Sequence, residues 1–280
     1  MTMSVKPAKA AAAPAASSRL PSYRKPPVSE VIAGVIFNET IPKFFTGHVG
    51  LFWNRIKDQF PETQHFAPLI PPGGQPRWVD SLGLPLPRVW FISKDKHHII
   101  QLQGDCFYFN WRRLNENDVY PRHPAIVQGF EDHLGGFLAF LQQEGLTQPM
   151  PLSCELTYTN YVPHGRAWKS MADVATIFTD FCWDGKKGRY LPEPNSMTWT
   201  ATFPLPDNNG TLTAQLLQVV KRSDSTPALR LDLTARGLGS AASLQELRPW
   251  FEIARAAIVN GFADLTTEEA QVKLWEREDG

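Results

Sequence analysis

The segment HHIIQLQGDCFYFNWR, residues 97–112, decides the fold. Gly104-Asp105 separates two runs of period-two alternation, and glycine at the first central position of a two-residue loop marks a tight hairpin. Folding the segment about that loop sets Gln103 opposite Cys106, Leu102 opposite Phe107, Gln101 opposite Tyr108, Ile100 opposite Phe109 and Ile99 opposite Asn110, with His97 near Arg112. Side chains alternate between the faces of a strand, so Ile100, Leu102, Phe107, Phe109 and Trp111 share one face, which reads as core. The other face carries His97, Ile99, Gln101, Gln103, Cys106, Tyr108, Asn110 and Arg112. That set is too polar to pack against an apolar layer without partners. It is expected to be either the solvated side of a one-sided antiparallel sheet or a hydrogen-bonding platform, where the amides and the Arg112 fork suit polar edges, carboxylate or phosphate.

Outward from the hairpin, VSEVIAGVIF (Val28 to Phe37) is rich in β-branched residues behind Pro26-Pro27 and reads as the first strand. Phe45, Val49, Phe52, Trp53, Ile56 and Phe60 recur at spacings of three and four, a helix stopped by Pro61. Pro61 to Arg88, with seven prolines and Gly73-Gly74, reads as a long irregular loop leading to a strand at Arg88 to Ser93. Past the hairpin, Ile126, Phe130, Leu134, Phe137, Leu138 and Leu141 form the stripe of a helix ended by Gly145. From Pro151 the order recurs: a strand at Leu152 to Val162, a shorter helix around Met171 to Phe181, and strands at Met197 to Phe203, Thr211 to Lys221 and Leu229 to Ala235. A helix then aligns Leu244, Leu247, Phe251, Ala254, Ile258 and Phe262, and a turn or short helix covers Glu268 to Glu276. The fold class is therefore α+β. A duplicated strand-helix-antiparallel strands-helix module, with halves at 28–148 and 149–280, forms one or two antiparallel sheets covered by helices.

The chain has 280 residues, 28 basic and 28 acidic. No run is long enough for a membrane-spanning helix, so no membrane is expected. Residues 1–27 hold Lys6, Lys9, Arg19, Arg24 and Lys25 and no acid; they read as a disordered basic tail rather than a signal peptide, because Pro14 breaks the alanine stretch. The remainder carries 23 basic and 28 acidic residues. Cys106, Cys154 and Cys182 form no CxxC and are odd in number, which suits a reducing cytoplasm.

Four stretches carry a resemblance: PPVSEVIAGVIF, HHIIQLQGDCFYFNWRR followed by Tyr120-Pro121, CELTYTNYV, and FADLTTEEAQVKLWER. Together they resemble a sporadically distributed bacterial family of unknown function, catalogued only by number, and the resemblance spans nearly all of residues 23–278. It implies a mobile accessory gene of the kind found in phage-defence or toxin-antitoxin settings.

Catalytic signatures are absent from the sequence. No phosphate-binding glycine loop, nucleophile elbow or HExxH occurs, so no catalytic residue, cofactor or metal is assigned. Cys154 alternates with Leu152 and Leu156 and reads as a buried thiol, and Glu155, Asp180 and Asp232 are scattered along the chain. The leading expectation is a non-catalytic accessory protein that engages a protein partner through Gln101, Gln103, Tyr108, Asn110, Arg112 and His97, with Trp78 as an apolar anchor. Two alternatives stand beside it. One is a small-molecule sensor or enzyme with a pocket between the halves, lined by Tyr108, Tyr158 and Glu155; the other is a nucleic-acid-binding accessory using the basic tail.

Overall fold

A computed structural model of the chain describes residues 19–69, 86–165, 167–181, 183, 190–194, 196–220, 226–241 and 243–278. In chain order the elements are β1 (Ser22–Tyr23), β2 (Val28–Phe37), α1 (Thr46–Ile56), β3 (Glu62–Phe66), β4 (Arg88–Ile92), β5 (His98–Gln103), β6 (Cys106–Arg112), α2 (His123–Gln143) and β7 (Pro151–Pro163). They continue with β8 (Thr198–Pro204), β9 (Thr211–Val220), β10 (Pro227–Gly237), α3 (Arg248–Leu265), α4 (Glu268–Lys273) and β11 (Arg277–Glu278).

The hairpin of residues 98–112 folds in the register read from its turn: Gln103 faces Cys106, Gln101 faces Tyr108 and Ile99 faces Asn110. Around it nine strands build one antiparallel sheet, ordered β3-β4-β5-β6-β2-β7-β10-β9-β8. The halves thus share a single sheet, joined where β2 pairs with β7. In each half the first strand of the sheet lies beside the last, β2 by β6 and β7 by β10, and the others run outward in reverse order.

Three expectations change. Glu62–Phe66, assigned to the loop, pairs with β4 as an edge strand; its residues are mostly exposed, which is why no hydrophobic alternation announced it. Met171–Thr176 is a 3-10 turn, capped by Ser170 and Asp173, where a helix was expected. From Arg19 onward the basic tail is placed: β1 pairs with β11, and Arg24 and Lys25 both reach Glu276. Residues 1–18 and Trp78 lie outside the described residues.

The helices α1, α2 and α3 pack on the face that carries Val31, Ala33, Val35, Phe107, Phe109, Leu156, Leu231 and Leu233, all buried. Phe52 of α1 meets Phe91 of β4 and Phe137 and Phe140 of α2, Phe107 meets Phe130 and Phe137, and Phe130 meets Phe251 of α3. Edge-to-face and offset packing of this kind adds to the area each ring buries. The opposite face of the sheet carries no helix among the described residues, and no helix is long and apolar enough to cross a membrane.

Candidate functional site

The open face is assembled by alternation, with one interruption. Val28 faces Asn160, whereas Glu30 faces Thr159, so β2 holds one extra residue at Ser29. Such a bulge re-aims the side chains that follow it. Val28 is buried on the helix side, while Ser29 and Glu30 both border the open face, Ser29 Oγ donating to the Thr159 carbonyl at 3.0 Å.

On the β4–β2 side the polar residues form one connected chain. Trp90 Nε1 and Arg88 Nη1 donate to Gln101 Oε1 at 2.9 and 3.1 Å, Gln101 Nε2 donates to Asn110 Oδ1 at 2.9 Å, and Asn110 Nδ2 donates to Glu30 Oε1 at 2.7 Å. Four strands are thereby linked by side chains as well as by backbone. Gln103 accepts from the Leu69 N–H at 2.8 Å and donates to the Leu69 carbonyl at 3.3 Å and to Asp105 at 2.8 Å. Tyr108 lies across β2, where only a residue without a side chain leaves room: a Cβ on Gly34 would stand 1.9 Å from the ring. Burial pushes the Tyr108 hydroxyl well above its usual range, as it does the Cys106 thiol.

Beyond β2 the character changes. A trough of about 510 Å³ opens over the β2–β7 seam. Its walls are Ser29, Glu30 and Ile32 of β2, Arg112 and Arg113 at the end of β6, Glu155, Thr157, Thr159 and Tyr161 of β7, and Arg230, Asp232 and Thr234 of β10. Three guanidiniums face three carboxylates. Arg230 pairs with Asp232 at 2.7 Å, and Arg236, just beyond, pairs with Glu155 at 2.6 Å. Burial raises the Glu30 carboxyl above its ordinary value, although Asn110 and the charges of Arg112 and Arg230 pull it down. Burial also lowers Arg113. Arg113 Nε, Arg230 Nε and Asp232 Oδ1 are buried without a hydrogen-bond partner among the described residues.

Of the residues singled out from the sequence, Gln101, Gln103, Tyr108 and Asn110 share the expected face, yet all four are buried, and the amides bind one another, Glu30 and Leu69. They are not a free platform. His97 Nδ1 donates to the Arg112 carbonyl at 3.1 Å and closes the open end of the hairpin. Arg112 alone of that group lines the trough, with its Nε on the Lys96 carbonyl at 2.8 Å. Glu155 and Asp232, scattered in sequence, meet there, whereas Tyr158 points to the helix side. Sequence reasoning noted Asp232 without a partner and missed Arg230 and Thr234, although RLDLTAR (230–236) alternates as plainly as the hairpin does.

Among the described residues no cluster of histidine, cysteine and carboxylate side chains could hold a metal ion. In comparisons with known proteins, no family model, curated protein or solved structure matches the chain.

Proposed function

We propose that this chain is a non-catalytic binding module that holds a protein partner on the open face of its sheet, centred on the trough at the β2–β7 seam. The observation that carries this reading is the gathering of three arginines and three acidic side chains, from four strands and their ends, in one open concavity. A polyanion would meet Glu30, Glu155 and Asp232 as well as the arginines, so nucleic acid is disfavoured there. A folded surface with charges of both signs complements such a trough, and that complementarity sets partner choice and register. The threonines between the charges add short, rigid hydroxyls that serve as donor or acceptor.

The accessory setting implied by the family resemblance belongs to the same proposal: the partner is sought first among proteins encoded beside this one. The matching strand order of the halves supports reading them as copies of one module, with the trough on their junction. The test is capture of candidate neighbours by the full chain and by the charge-swapped variant Arg230→Glu/Asp232→Arg. Partner retention by the wild type, lost in that variant with folding intact, supports the reading. Equal retention by both overturns it.

A further inference from the structure

On the helix side of the same seam the chain forms a second cavity, of about 120 Å³ and partly open to solvent beside the exposed Arg122. An apolar cavity of about 150 Å³ takes up benzene, so this one has room for a single small apolar group. Leu233 forms its floor and Ile258, Val259 and Phe262 of α3 one wall, under a roof formed by the strap that carries β1. The strap is pinned by its pairing with β11, and Arg122 Nη1 donates to the Tyr23 carbonyl at 3.1 Å.

Tyr120, Tyr158 and His123 form a connected hydrogen-bond chain beside this cavity. His123 Nε2 lies 3.2 Å from Glu252 Oε1, so that nitrogen carries the proton and Nδ1 is left as an acceptor. The Tyr158 hydroxyl donates to Nδ1 at 3.3 Å, and the Tyr120 hydroxyl donates to Tyr158 at 3.0 Å. Burial keeps His123 neutral, as this order of donors requires. Asn160 Nδ2 is engaged by the Leu231 and Tyr158 carbonyls.

The capacity left over is cationic. Arg122 and Arg255 both line the cavity; Arg255 meets Glu252 only at 3.6 Å, and no carboxylate among the described residues pairs with Arg122. Arg122 also holds φ at 71° and ψ at 157°, a costly backbone state for a residue with a side chain, of the kind that persists at ligand clamps.

We propose that this cavity binds a small hydrophobic carboxylate, the size of benzoate or isovalerate, with its apolar body against Leu233 and α3 and its carboxylate on Arg122 and Arg255. Guanidinium and carboxylate match in geometry and charge. The site is separate from the partner-binding trough, because the two lie on opposite faces of the sheet.

The test is titration calorimetry of the full chain with benzoate and isovalerate, beside benzyl alcohol and benzylamine. The carboxylates are expected to bind at least about tenfold more tightly than benzyl alcohol, and benzylamine not at all. Arg122→Gln and Arg255→Gln are each expected to weaken benzoate about tenfold, and Val259→Phe, which fills the cavity, to abolish binding. Since the filling variant risks the packing of α3, the double variant Arg122→Gln/Arg255→Gln, checked for folding by circular dichroism, decides the matter. Failure of both carboxylates to bind at about 10 mM, equal affinity for benzyl alcohol, or unchanged benzoate binding in the double variant would each overturn the proposal.

Discussion

The open face of the sheet is polar on both sides of β2, and the two sides use that polarity differently. From β4 to β2, Trp90, Gln101, Asn110 and Glu30 hand hydrogen bonds from strand to strand and are closed to outsiders. Around the trough, charges pair within a strand or with the next one, and three buried polar atoms, of Arg113 just past β6 and of Arg230 and Asp232 on β10, stay unmatched among the described residues, against Arg88 Nε in the first network. A polar strand face is therefore not in itself a binding surface. What marks a site is the polarity that remains once the neighbouring strands have taken their share.

The sharpest way to break this contrast is Asn110→Leu. It strands the Gln101 amide and leaves the Glu30 carboxylate without its hydrogen bond, and removing one member of a buried polar network costs about 3 kcal/mol. Urea denaturation should show that loss, while any effect on partner capture should follow only from unfolding.

The helix side offers a second closed network, and its strength is read from pH. Burial pushes His123 down to about 4, against the pull of Glu252, whereas an unfolded histidine titrates near 6.5. A depressed folded value means that the stabilisation is complete above pH 6.5 and is lost as pH falls toward 4, by on the order of 3 kcal/mol. The melting temperature of the wild type should fall across that window more steeply than that of His123→Gln; parallel curves would show that His123 carries no such load.

On the open side, Arg230→Gln removes a part-buried ion pair within one strand and should cost about 1 kcal/mol in denaturation, well short of Asn110→Leu. Its effect should appear instead in partner affinity, and a stability loss as large as that of Asn110→Leu would erase the distinction drawn above. The smallest effect concerns Glu30, where the two sides meet. Its carboxyl is raised by burial, so its contribution to stability is fullest below the unfolded value near 4.5 and is lost as pH rises through the folded value. Glu30→Gln should therefore gain on the wild type at neutral pH, with the difference closing below pH of about 4.

The hairpin register and most strand positions were legible because they rest on local signals: a glycine-containing turn, period-two alternation, and a stripe at three and four. The union of both halves in one sheet was not, since β2 and β7 meet across more than a hundred residues and nothing in VSEVIAGVIF names its second neighbour. Within the site, Arg112 was found, but Gln101, Gln103 and Asn110 were read as available when they are engaged. Alternation tells which side a residue faces and not who stands beside it there. Trp90 and Arg88, which saturate Gln101, come from a strand whose pairing the hairpin alone does not reveal. RLDLTAR was legible by the same rule as the hairpin, and its charges acquire meaning only beside Glu155.

The bulge at Ser29 gives the chain a change of parity. Counted in twos, an even-numbered residue, Val28, faces the helices, whereas from Val31 onward the odd-numbered ones do. Val28 lines the helix-side cavity, and Ser29 and Glu30 line the trough. Loss of Ser29 would restore an unbroken rhythm, with Val28 toward the helices, Glu30 toward the trough and Val31 toward the helices again, so no side chain would change sides. The bulge is thus the one place in β2 with slack: a single-residue deletion is absorbed there, whereas the same deletion a few residues further along would exchange the two faces like a frameshift written in geometry.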